Sequence, residues 1–175
     1  MLLKRVAIIG PESSGKSWLT SKLAAYYSTN MVGEYAREFF RERKFKYTLE
    51  DLVTIAKAQV KSEENIAATS EGIMFCDTDM IVMKIWAKEV FNTVPDWIEK
   101  QEKEKHYDLY LLCYPDLKWE PDPLRSNPHN RQYIYNLFVK ELEQNNRNFR
   151  VVKGAGELRL KNAINFVDEL LRDGR

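Results

Sequence analysis

The sequence predicts an α/β fold in which five parallel strands are covered by helices on both faces. Three observations predict it. Five short apolar runs alternate with stretches of helical periodicity. The first of them, Val6 to Ile9, is apolar at every position, as a strand buried on both faces is. The chain has 175 residues, 44% of them apolar, which suits one compact domain spanning 1–175, with at most a small lid. Right-handed crossovers leave few alternatives to a doubly wound, three-layer arrangement.

Val6 to Ile9 form the first run, which stops at Gly10 and Pro11. Leu19, Leu23 and Tyr27 then recur at helical spacing, and Met31 to Glu34 is a second, weaker strand. Thr48 and Asp51 have the spacing of a helix N-cap with an acidic third position. Leu49, Leu52, Val53, Ala56 and Val60 continue that helix, and Gly72 is expected to end it. Ile73 to Phe75 make a third strand, closing on Cys76 and Asp77. Ile81, Val82, Ile85 and Trp86 resume the helical period, and Pro95 opens a further helix. The charged tail of that helix, Glu99 to His106, reads as a solvated surface. Leu109 to Cys113 is the strongest strand, and the four prolines of 115–128 mark a loop. Ile134, Leu137, Phe138 and Leu142 give another helix, and Phe149 to Val152 the fifth strand. Leu160, Ile164, Val167 and Leu171 line the last helix.

Charge and composition exclude several classes. With 27 Lys and Arg against 26 Asp and Glu, the net charge of +1 gives no general attraction to nucleic acid or to an anionic membrane. No apolar run approaches bilayer length, and the first is too short for a signal-peptide core. A cytosolic protein is expected. Cys76 and Cys113 lack metal-ligand spacing, so both read as reduced core thiols.

In sheets of this kind ligands bind beyond the carboxyl ends of the strands. Gly10 to Ser17, reading GPESSGKS, occupies the first such position. It matches Gly, four residues, Gly, Lys, then Ser or Thr, the phosphate-binding loop of P-loop NTPases. Gly10 and Gly15 allow the backbone to curl around an anion. Glu12, Ser13 and Ser14 supply the intervening N–H groups, and the helix starting near Gly15 adds its dipole. Lys16 reaches terminal phosphates, and Ser17 places a hydroxyl on Mg²⁺. Trp18 stands where such loops often carry a second hydroxyl, which weakens a contact with the α-phosphate there.

Four further segments lie at strand ends. Asp77 and Asp79, in the run CDTD, can hold Mg²⁺ or substrate; Asp79 is equally well placed to cap the next helix. Glu34 of EYAREFF can orient or deprotonate a hydroxyl beside Tyr35, and Arg37 can meet phosphate; an ordinary surface ion pair is the alternative. The proline-rich segment of about 116–131 reads as a lid carrying Trp119, Asp122, Arg125 and Arg131. Its arginines either close on the moving phosphoryl group or are simply solvated. Trp86 and Trp119 are candidates to stack on a flat substrate, although Trp86 also suits the core of its helix. Gly154 and Ala155 follow the last strand and face the nucleotide end.

The order GPESSGKS, GEYAREF, Asp77-Thr78-Asp79, YDLYLL, then Pro115-Asp116-Leu117-Lys118-Trp119 with Asp122 and Arg125, resembles the ribosylnicotinamide kinase domain of bacterial NadR-type proteins. The resemblance runs from about Arg5 to the last helix. It implies transfer of the ATP γ-phosphate to the 5′-hydroxyl of nicotinamide riboside, a small-molecule reaction of NAD salvage. Lys16 and Ser17 would then hold ATP and Mg²⁺, Asp77 or Asp79 the metal or ribose, and Glu34 would sit near the riboside. Fused relatives carry an adenylyltransferase with a His-rich motif. Here the loop begins at residue 10 and the only histidines are His106 and His129, so the expectation is the kinase step without adenylyl transfer or operator binding. Two alternatives remain open at this point. One is another P-loop nucleoside, nucleotide or small-metabolite kinase. The other is a non-catalytic ATP-sensing module. A GTPase switch is disfavoured by the lack of an Asn-Lys-x-Asp motif.

Overall fold

The computed structural model describes residues 2–41, 46–105, 107–122 and 129–173. Its sheet has five strands: β1 (Lys4–Ile9), β2 (Met31–Val32), β3 (Ile73–Asp77), β4 (Leu109–Cys113) and β5 (Phe149–Val152). They are parallel throughout, in the order β2-β3-β1-β4-β5. β1 is central; Val6 pairs with Phe75 on one side and Leu109 on the other. All residues of β3 and β4 are buried, which explains runs apolar at every position.

Among the described residues seven helices accompany the strands: α1 (Lys16–Tyr26), α2 (Tyr35–Arg41), α3 (Leu49–Ala67), α4 (Met80–Phe91), α5 (Asp96–Glu104), α6 (Arg131–Gln144) and α7 (Gly156–Asp173). Val6 and Ile8 point to a core shared with Leu19, Leu23 and Val167, under α1 and α7. Ala7 and Ile9 point the other way, to Ile81, Ile85, Phe138 and Leu142 of α4 and α6. A third apolar cluster joins Phe40, Leu52, Ile55, Met83 and Ile98 of α2 to α5 beside the sheet. No helix among the described residues is long and apolar enough to cross a membrane.

The order of strands and helices agrees with the sequence reading, with three local differences. The second strand is only two residues long, and α2 follows it at once. Next, α3 ends at Ala67 rather than Gly72. Ser70 Oγ and Thr69 Oγ1 donate to the Ile66 carbonyl at 2.7 and 3.1 Å and close the helix early. Gly72, at φ +72°, serves the turn into β3 instead. The third difference is the charged tail of α5, which is not uniformly solvated. Glu102 lies one turn after buried Ile98 and is 3% exposed. Arg147 donates to it at 2.9 Å, and Lys84 stands 3.7 Å away. Lys105 turns inward to Glu63 at 3.1 Å. His106 lies outside the described residues. Both cysteines are free and buried, as expected.

Candidate active site

The loop Gly10 to Ser17 leaves β1 and enters α1 at the carboxyl end of the sheet. Its backbone alternates in hand: Gly10, Ser13 and Gly15 have φ of +142°, +55° and +79°. Such alternation turns successive N–H groups toward one concave side, the geometry that binds anions. A Cβ at Gly10 would lie 2.7 Å from the Cys113 carbonyl oxygen, so this position requires glycine. Gly15 is the N-cap of α1 and makes no side-chain cap, leaving the first helical N–H groups for a ligand. Lys16 Nζ donates to the carbonyls of Gly10 and Pro11 at 2.9 and 3.0 Å, which keeps its charge over the loop.

Asp77 ends β3, one strand away from the loop, and is 2% exposed. The Ser17 hydroxyl is near enough to its carboxylate to favour the charged form. Burial, and then the neighbouring Glu34 charge, raise its pKa to about 6, against the pull of Ser17, Lys16 and Arg37. Its Oδ1 is buried without a partner. An orphan carboxylate oxygen beside a serine hydroxyl fits a Mg²⁺ ion shared with phosphates and water. Among the described residues there is no group of three His, Cys, Asp or Glu that would form an all-protein cage.

Asp79 is brought elsewhere. It is 1% exposed, caps α4, and accepts from the Val82 N–H at 3.1 Å. Burial raises its pKa to about 7. Its carboxylate is engaged at the helix start, so of its two sequence readings the structure shows the cap.

A cavity of about 820 Å³ runs from the loop to an aromatic recess. One end is lined by Gly10 to Trp18. The other is lined by Phe40, Tyr47, Ile85, Trp86, Glu89 and Phe138. Trp86 does both things the sequence allowed. It faces the cavity, and it packs between Phe40 and Tyr47 with its Nε1 donating to the Tyr47 hydroxyl at 2.7 Å. Glu34 and Arg37 also line the cavity. Arg37 Nε donates to Glu34 and its Nη1 to Asp122, both at 3.1 Å. That pair ties α2 to the segment after β4.

Arg131, at the start of α6, donates to the Leu117 carbonyl at 2.8 Å and the Ser13 carbonyl at 3.4 Å. Its guanidinium lies 5.9 Å from the Trp119 ring centroid. Trp119 therefore packs on an arginine rather than on the cavity, and Tyr35 packs into the α2–α5 cluster instead. Gly154 and Ala155 do not line the cavity; the Gly154 N–H donates to Asp116 at 2.7 Å, and Ala155 is exposed. Arg125 lies outside the described residues.

Two site residues escaped the sequence reading. Gln59 of α3 is fully buried; its Oε1 accepts from the Tyr35 N–H at 2.9 Å and its Nε2 donates to the Gly33 carbonyl at 3.2 Å. It grips the peptides on either side of Glu34. Arg159 of α7 is also fully buried, behind the phosphate loop. Each is a lone polar residue in a helix whose spacing announces nothing. The only sequence signal was a polar side chain on an apolar face, as Gln59 stands beside Ala56 and Val60.

A sequence model of a family described as an AAA domain matches residues 5–159. The trifunctional NAD biosynthesis/regulator protein NadR of Escherichia coli strain K12 is 29% identical over 182 residues, covering 99% of this chain and 44% of that protein. The NadR of Salmonella typhimurium is 30% identical over 178 residues, covering 97% and 43%. The chain thus spans less than half the length of these relatives. Among solved structures, a NadR protein in complex with NR superposes with a TM-score of 0.83 at 24% identity, covering 96% of this chain and 51% of that one. A thymidylate kinase from Ehrlichia chaffeensis superposes with a TM-score of 0.68 at 13% identity, covering 94% and 98%. The fold is that of P-loop kinases, and with residues 5–159 matched, the chain belongs to the AAA domain family.

Proposed function

We propose that this chain is an ATP-dependent kinase that phosphorylates the 5′-hydroxyl of nicotinamide riboside. The observation that carries the reading is a single cavity whose wall holds both a phosphate nest and an aromatic recess, with Glu34 also in its lining. The similarity to NadR over nearly the whole chain, and the NR complex of a structural relative, support the choice of acceptor.

Phosphoryl transfer passes through a loose transition state, so the protein positions groups and neutralises charge. Loop N–H groups and Lys16 hold the triphosphate of ATP. Ser17 and Asp77 hold Mg²⁺, which when bound spreads the charge of the β- and γ-phosphates. The riboside ring lies against Trp86 and Tyr47, and its 5′-hydroxyl points toward Glu34. That oxygen forms a bond to the γ-phosphorus as the bond to the β,γ-bridging oxygen breaks. ADP leaves, and Glu34 accepts the hydroxyl proton. Arg131 places positive charge beside the loop, and the arginine of the lid of about 116–131 that lies outside the described residues, Arg125, is assigned the same role from the sequence alone. A cytosolic location goes with a metabolic kinase whose two thiols are buried and free.

The test is an acceptor panel with Mg-ATP and coupled detection of ADP. Nicotinamide riboside should give the highest kcat/KM. Lys16→Ala should remove most of kcat, because the lysine charge acts on the transferring group. Preference for thymidine or for a nucleoside monophosphate would overturn the acceptor. Near-normal turnover by Lys16→Ala would overturn the kinase assignment itself.

A further inference from the structure

We infer that Arg159 and Asp116 form a clamp that sets the shape of the phosphate nest, with Arg159 a positioning residue for nucleotide binding. The inference rests on the reading of Gly10 to Ser17 as the triphosphate site.

Arg159 is fully buried, in the second turn of α7. Its Nη2 donates to the carbonyls of Ser14 and Tyr114, both at 2.8 Å. Its Nη1 donates to Asp116 Oδ1 at 2.8 Å and to the Gly154 carbonyl. Asp116 Oδ2 in turn accepts from the Gly154 N–H. One guanidinium thus joins three loops at the carboxyl end of the sheet: those after β1, β4 and β5.

Stability alone does not explain this arrangement. A buried ion pair recovers little more than its own desolvation cost, and an apolar side chain of similar volume would fill the space as well. What an arginine supplies is direction. In a planar trans peptide the C=O and N–H point to opposite sides. With the Ser14 carbonyl drawn back to Arg159, the Gly15 N–H of the same peptide is turned to the opposite side, the concave face of the loop. Arg131 draws on the preceding carbonyl, that of Ser13. Two arginines from different helices thereby fix consecutive peptides of the loop. A planar fork can hold four acceptors in fixed directions, which an ammonium cannot.

The experiment measures Mg-ATP binding by calorimetry, riboside binding by Trp fluorescence, and melting temperature, on the full chain and three variants. Arg159→Lys keeps the charge and loses the fork. It should weaken ATP binding about tenfold, the scale of a lost charge-assisted hydrogen bond, and leave riboside binding within about twofold. Arg159→Ala should recover part of its ATP affinity when guanidinium is added at millimolar concentration. Asp116→Asn, near the surface, should fold normally and weaken ATP binding in the same selective way, so the test survives if the Arg159 variants do not fold. Unchanged ATP affinity in Asp116→Asn and in any folded Arg159 variant, or equal loss of ATP and riboside binding, would overturn the clamp. A wild-type chain that binds ATP but phosphorylates no riboside would sink the proposed acceptor and leave this result readable.

Discussion

Replacing Gly10 by alanine tests the geometry on which the nucleotide site depends. The new Cβ would lie 2.7 Å from the Cys113 carbonyl oxygen and 3.2 Å from both Cys113 Cβ and Ser14 Oγ. The nearest of these is backbone in the central sheet, so the loop must move. Overpacking of this kind costs about 1–3 kcal/mol. A φ of +142° is one that side chains rarely adopt, and forcing it adds about 1–3 kcal/mol more. The sum is about 2–6 kcal/mol, which for a domain of this size lowers the melting temperature by about 4–24 °C. Relief of the clash displaces the loop, so affinity for Mg-ATP should fall as well. Gly33→Ala is the internal control. Nothing lies within 4 Å of its would-be Cβ, and the change should stay within about 0.5 kcal/mol. Urea denaturation of both variants, beside nucleotide titration, measures the two effects. A Gly10→Ala protein that melts within a degree of wild type and binds ATP normally would refute the packing of the loop against β4.

Other expectations follow from the buried carboxylates and the recess. Asp77 and Asp79 titrate near 6 and 7 when folded, above the ordinary carboxylate value, so the folded chain holds protons that the unfolded chain releases. The stability they contribute is full below about pH 4 and is lost as pH rises through 6 to 7. Asp79→Asn keeps a capping oxygen without a buried charge; it should raise the melting temperature at pH 8 and flatten the decline from pH 5 to 8, and an unchanged slope would refute the cause given. The acid limb of kcat/KM should lie near pH 6, where Asp77 loses its charge, and should be absent from a profile governed by other groups. Trp86→Ala should raise the riboside KM and spare that for ATP; equal KM values would remove the ring contact. Glu102→Ala should cost about 3 kcal/mol, because it takes a buried carboxylate away from Arg147 and Lys84, whereas Glu104→Ala, half a turn away and exposed, should cost under about 0.5 kcal/mol.

The contrast between Glu102 and Glu104 shows where a sequence stops being legible. The phosphate loop could be read because its chemistry is local: Gly10, Gly15, Lys16 and Ser17 act through one stretch of backbone. The strands could be read because burial on both faces leaves an unmistakable apolar run. Glu102 and Lys105 looked like solvated charges because their partners, Arg147 and Glu63, are about forty residues away. Asp79 had two local readings, and only the packing of α4 decided between them. The same holds for Trp119, which meets Arg131 rather than the cavity.

Arg159 and Gln59 carry this furthest, since neither has a motif and both act on peptides far from them in sequence. Gln59 holds the Gly33 carbonyl and the Tyr35 N–H; Arg159 holds the Ser14 and Tyr114 carbonyls. In each case the side chain that faces the ligand is presented by a loop, and the loop is aimed by a buried polar group from a helix behind it. A loop alone has too much conformational freedom to fix a donor within hydrogen-bonding tolerance, because ordering each residue costs about 1–2 kcal/mol. A buried amide or guanidinium supplies that order through the bonds it makes: both polar atoms of the Gln59 amide and both Nη atoms of Arg159 are engaged, while the Arg159 Nε is left without a partner among the described residues. The motif therefore specifies which atoms touch phosphate, while residues on α3 and α7 specify where those atoms point. Substitutions at these helix positions should alter the affinity of one substrate at a time, Gln59 acting through Glu34 on the acceptor and Arg159 through the phosphate loop on the nucleotide.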